Sequence, residues 1–114
     1  MSKLYAMAFP ILPGKEEQWK KFTAELNSKR RDEYRKSRKE LKVHERTFLQ
    51  HTPQGDLVIV TLEGEDPMSA FAAFANSDSD FSSWFFQQVI DIHGFDLRKP
   101  PPGPMPELII DSQG

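Results

Sequence analysis

The residues best equipped for chemistry lie close together in the segment KEEQWKKFTAELNSKRRDEYRKSRKELK, Lys15 to Lys42. Arg30, Glu33, Tyr34 and Ser37 supply a cation, a carboxylate, a phenol and a hydroxyl within eight positions. On a helix Arg30 is the i,i+3 neighbour of Glu33 and the i,i+4 neighbour of Tyr34, so the three can bond one another. Arg30 offers a planar fork of donors suited to an anionic ligand, and Tyr34 offers a hydroxyl to a carbonyl or phenolate oxygen. These residues continue a stripe that begins apolar at Trp19, Phe22 and Leu26 and closes at Leu41. A face expected to be greasy therefore turns ionisable in its middle. The competing explanation needs no ligand: an unbroken helix of 28 residues would be about 42 Å long, and its charged half could overhang into solvent.

The histidines are His44, His51 and His93. His44 and His51 differ by seven positions and so face opposite sides of one strand, which argues against a shared metal ion, and no metal site is expected. His93 precedes Gly94 at a helix end, where an imidazolium would complement the helix dipole. Alternatively His93, or His51, moves protons near neutral pH at a cleft. Phe48, Trp84 and Phe85 are the aromatic candidates for lining such a cleft beside Tyr34. Phosphate-loop, dinucleotide and serine-nucleophile motifs are absent, and no cofactor is expected.

The elements that must position these groups follow from turn and cap signals. Leu4–Pro10 reads as a strand with Ala6 and Ala8 on one face and Tyr5, Met7 and Phe9 on the other. Pro13-Gly14 turns the chain into the long helix. Val43–Thr52 and Leu57–Glu63 form a hairpin about Pro53-Gln54-Gly55-Asp56. Asp66 and Pro67 cap and open a short helix that Asn76–Asp80 interrupts. The next helix, Phe81 to His93, packs through Phe81, Phe85, Val89 and Ile92 with Trp84 and His93 at its margins, and Gly94 ends it. Residues 99–106 form a proline-rich arm, and residues 107–111 (ELIID) a last strand.

The 114 residues make one domain, 1–114, and the absence of cysteine removes disulfides and thiol chemistry together. No apolar run approaches the roughly 18 residues of a membrane span, and the N-terminus has no secretory signal pattern, so a cytoplasmic protein is expected. Lys15–Lys42 holds 11 basic and 6 acidic residues, whereas residues 43–114 hold 3 basic and 11 acidic. Asp32, Glu33 and Glu40 interrupt the basic run, so neither nucleic acid nor membrane is expected as a partner.

The resulting order is β-α-β-β-α-β with the second helical position split in two. That is the α+β ferredoxin-like arrangement, a four-stranded antiparallel sheet with its helices on one face. Tyr5, Met7 and Phe9, together with both faces of residues 57–62, give more apolar surface than a solvated face carries, which predicts a homodimer packed sheet to sheet.

In element order, size and hydrophobic pattern the chain resembles the dimeric α/β-barrel superfamily. It is most similar to uncharacterised bacterial members with FPILPGK, TPQGDLVIV and IHG, which stand here at Phe9–Lys15, Thr52–Val60 and Ile92–Gly94. The resemblance implies a ligand cleft between helices and sheet, and a small aromatic or anionic metabolite within it. It also raises two alternatives: a cofactor-independent monooxygenase- or isomerase-like enzyme, or a non-catalytic, stress-associated dimer without a ligand. Haem-degrading members use an Asn, a Trp and a His; Trp84 and His93 are present, but the first strand has no Asn, so haem is not expected.

Overall fold

The computed structural model describes residues 2–99 and 105–113. Three strands and four helices follow in the order β1 (Lys3–Pro10), α1 (Glu16–Leu26), α2 (Arg31–Leu41), β2 (Val43–Thr52), β3 (Gly55–Gly64), α3 (Pro67–Ala75) and α4 (Asp80–His93). The sheet order is β1-β3-β2, antiparallel throughout.

Among the described residues the sheet thus has three strands, not the four expected. Residues 105–113 join no strand ladder among the described residues, and Leu108, Ile109 and Ile110 are exposed, Ile110 at 84%. A strand of five residues gains its stability from a ladder and a buried face, and within this chain the segment finds neither. Residues 100–104 of the expected proline-rich arm lie outside the described residues.

The second departure is the long helix, which is two helices. Asn27 and Ser28 prefer turns because their short polar side chains compete for backbone partners. Here the Ser28 hydroxyl donates to the Ala24 carbonyl, and the Arg30 N–H reaches back five residues to Glu25 O at 2.8 Å. The break resets the phase of everything after it. In an unbroken helix Arg38 would point about 120° away from Leu26. In the observed one Arg38 is the buried residue of α2, while Ser37 is only half-buried. The charged half neither overhangs as one rod nor presents the expected stripe.

Local signals set the remaining ends. The Asp66 carboxylate accepts from the Ser69 N–H (3.1 Å) and hydroxyl (2.8 Å) with Pro67 at the first helical position, and Ser79 caps α4 through the Ser82 N–H. At the corner between α2 and β2, Lys42 adopts the left-handed conformation at φ 59°, uncommon for a residue with a Cβ. Gly64 pairs with Val43 there, and a Cβ on Gly64 would meet the Lys42 carbonyl oxygen at 2.6 Å. Only glycine lets the two backbones approach this closely.

Register decides what faces the helices. Phe9, Val58 and Leu49 lie in one row, Met7, Val60 and Thr47 in the next, and Tyr5, Leu62 and Glu45 in the third. This is the helix-covered face, where Phe22, Leu26, Phe74, Phe81, Phe86 and Ile92 complete the core with Val58. Met7 and Phe9 therefore belong to the protein's own core, and the sheet-to-sheet argument built on them is corrected. The open face instead carries Leu4, Ala6 and Ala8 of β1, Ile59 and Thr61 of β3, and Arg46 and Phe48 of β2.

Candidate functional site

Glu45 is a carboxylate on the covered face of β2, among Val43, Thr47 and Leu49. Left alone there, its charge would cost several kcal/mol. Arg38 answers it. The guanidinium donates from Nη2 to Glu45 Oε1 at 2.9 Å and from Nε to the same oxygen at 3.1 Å. Tyr34, one turn earlier on α2, donates its hydroxyl to Glu45 Oε2 at 2.7 Å. The Ser37 hydroxyl accepts from Arg38 Nη1 at 3.0 Å and donates to the Tyr34 carbonyl at 2.9 Å. Arg38 is only 8% exposed, and its cation lies 4.4 Å from the Phe74 ring centre, 4.8 Å from that of Tyr34 and 4.9 Å from that of Phe85. The guanidinium is thus wrapped in aromatic carbon and the Glu45 side chain is 9% exposed, which strengthens their attraction and raises the cost of losing either one.

The pair forms part of the wall of an apolar cavity of about 80 Å³. The sheet side is Met7, Phe9, Val58, Val60 and Leu62, and the helices contribute Phe22, Ala70 and Phe85. His93 also lines it and is 5% exposed. Its Nδ1 lies 2.8 Å from the Pro10 carbonyl oxygen. A carbonyl only accepts, so Nδ1 carries the hydrogen and Nε2 is left as the acceptor. Burial pushes the His93 imidazole below its ordinary value, partly opposed by that Pro10 bond, so the ring is neutral at pH 7. Tyr34 moves the other way: burial, then the adjacent Glu45 charge, hold its hydroxyl protonated well above the usual phenol range. Chemically the chamber offers the Arg38–Glu45 pair, with the Tyr34 hydrogen held by Glu45, and one unprotonated imidazole nitrogen at His93.

A second hollow opens outside the same wall, between α2 and the start of β2. This groove of about 460 Å³ is lined by Arg31, Arg35, Lys39 and His44, and it shares Leu26, Arg38, Val43 and Glu45 with the inner cavity. The buried ion pair separates a cationic groove from an apolar chamber.

The sequence-derived site residues divide accordingly. Tyr34 and Ser37 hold the ion pair, Phe85 packs under it, and His93 lines the chamber. Arg30 is elsewhere: it pairs with Glu25 at 3.2 Å and Glu33 at 3.3 Å, and stacks 4.1 Å over Trp84, tying the helix break to α4. Trp84 lines neither hollow. Phe48 stands on the open sheet face at 54% exposure. His51 sits at the hairpin end, bound to Asp56 at 2.8 Å and exposed. Arg38 and Glu45 are the residues that sequence reasoning missed. Glu45 carried a signal, because a carboxylate in register with Val43 and Leu49 on a strand face needs a cation opposite it.

With this geometry in view the chain can be placed. A model of a family of unknown function, DUF6176, matches residues 3–91. The chain belongs to the DUF6176 family. The matched span of this DUF6176 chain takes in every strand, Arg38, Glu45 and most of α4, and stops two residues short of His93. No curated protein and no solved structure matches it. No helix among the described residues is long and apolar enough to cross a membrane.

Proposed function

We propose that this DUF6176 protein binds a small aromatic or anionic metabolite between its helices and sheet, with the polar end of the ligand at Arg38, Tyr34 and Glu45. The observation that carries this reading is the buried ion pair in the wall of an otherwise apolar chamber. Stability alone does not call for it, because well-packed hydrophobic residues replace such pairs at little or no cost. The magnitude restricts the ligand. An apolar cavity of roughly 150 Å³ admits benzene, and the chamber here is about 80 Å³. A single ring therefore enters only if the Arg38–Glu45 wall swings outward, and a carboxylate on that ring would take Glu45's place on the guanidinium.

Benzoate, phenol and benzene, followed by thermal shift and by methyl NMR of Val58 and Val60, test the proposal. Benzoate should protect the wild type and lose that effect in Ala70→Leu, which fills the chamber. If none of the three moves the melting temperature or the two valines, the chamber is closed by its own side chains, and the reading of a dimer without ligand replaces this one.

Proton transfer on the bound molecule is a second reading, favoured by His93, whose neutral ring borders the chamber. Oxygen-dependent turnover of a phenol with one atom of labelled O2 recovered in the product and the other in water, lost in His93→Gln while binding persists, would make the protein a cofactor-independent monooxygenase. Homodimer formation belongs to the same proposal and is supported by the exposed Leu4 and Phe48 on the open sheet face and by Leu108–Ile110. Sedimentation at micromolar concentration showing only a 13.1 kDa species would overturn it.

A further inference from the structure

Arg31, Arg35 and Lys39 recur at i, i+4 and i+8 along α2 and line the outer groove together. Like charges at that spacing repel and destabilise a helix. Some basic side chains of this chain find carboxylates: Lys20 with Glu17, Lys29 and Arg30 with Glu25, Arg46 with Glu63, Arg98 with Asp96. These three make no ion pair or side-chain hydrogen bond with any described residue. The groove also has a carboxylate, Glu45, but both of its oxygens are already committed to Arg38 and Tyr34. Three unpaired cations therefore face an ion pair that is already neutral, with His44 opposite on β2 and Asn27 at the helix break.

We infer that this groove is a binding site for a small oxyanion carrying at least two charges. Arginine forks match phosphate and carboxylate oxygens two at a time, and Arg31 and Arg35 are separated by about 6 Å along the helix, one turn. Three cations over about 12 Å form a short cluster that Asp32, Glu33 and Glu40 interrupt elsewhere on the helix, so a compact anion suits it better than a nucleic-acid backbone. The floor of Leu26, Tyr34 and Val43 adds apolar contact for the body of such a molecule. The inference rests on the groove alone and holds whether or not the inner chamber takes a ligand.

Isothermal titration with sodium pyrophosphate and with citrate at low ionic strength tests it and separates phosphoryl from carboxylate ligands. One site per chain is expected for at least one of the two. The pair Arg35→Gln with Lys39→Gln should weaken binding at least tenfold, the loss expected for removing charge-assisted contacts. Lys36→Gln, which removes one charge from the same helix outside the groove, should alter affinity less than threefold. Ala70→Leu, which fills the chamber, should leave this binding intact, so failure of the chamber proposal and failure of this one are read separately. No heat with either anion would overturn the inference. So would equal weakening by Lys36→Gln, or a single-stranded oligonucleotide binding more tightly than pyrophosphate.

Discussion

Replacing Arg38 with methionine keeps the length and much of the volume of the side chain and removes its charge. Glu45 then retains one hydrogen bond, from Tyr34 at 2.7 Å, and no cation, with Phe74 and Phe85 where the guanidinium packed. Breaking a buried pair by removing one partner costs about 3–5 kcal/mol. For a chain of 114 residues the unfolding entropy near the melting point gives about 4 °C per kcal/mol, so the melting temperature should fall by roughly 12–20 °C. The double variant Arg38→Met with Glu45→Leu removes the stranded charge along with the cation. It should recover most of the loss and come within about 1 kcal/mol of wild type. Urea unfolding followed by circular dichroism at pH 7 supplies all the free energies of the cycle. If Arg38→Met alone costs less than about 1 kcal/mol, or the double variant is as unstable as the sum of the singles, the pair is hydrated and its role as the dividing wall is refuted.

Other perturbations probe the frame and the groove. Gly64→Ala forces a Cβ to within 2.6 Å of the Lys42 carbonyl and should cost about 1–3 kcal/mol by the same urea assay. A neutral loss would mean that the α2–β2 corner yields freely. Because the folded-state His93 sits below the ordinary 6.5, the unfolded chain binds more protons as pH drops below that value. Its contribution to stability is thus complete above pH 6.5 and declines as pH falls, by at most about 1.4 kcal/mol per pH unit until the folded ring also protonates. His93→Gln should flatten that limb, and an unchanged profile would assign it to other groups. Arg35→Gln relieves two like-charge contacts and should stabilise the fold in the absence of anions by a few tenths of a kcal/mol per contact, read as a slight rise in melting temperature. A decrease would show that Arg35 is already paired.

Much of the fold was legible because its signals are local. Pro13-Gly14, Pro53 to Asp56, Asp66-Pro67 and Gly94 each constrain a turn or cap through their own backbone and side-chain preferences, and the elements end close to where those residues stand. The sheet alternation was also correct residue by residue. Which of its two faces the helices would cover was not, because alternation fixes only which residues share a face. The helix break at Asn27 and Ser28 was not anticipated, since propensity penalties of a few tenths of a kcal/mol each look minor beside 28 positions without proline or glycine.

The candidate site shows the same division. By itself the sequence determined that a polar cluster interrupts the apolar stripe between residues 30 and 37, that Tyr34 belongs to it, and that one histidine ends the last helix. Tertiary structure alone decided the cation. Arg30 and Arg38 are eight residues apart, about 80° around an ideal helix, and chemically identical. The turn at residues 27–30 rotates α2 so that Arg38 meets Glu45 while Arg30 stacks on Trp84. The residue that an arginine pairs with depends on a carboxylate brought in from another element, and the spacing within one helix does not contain that information.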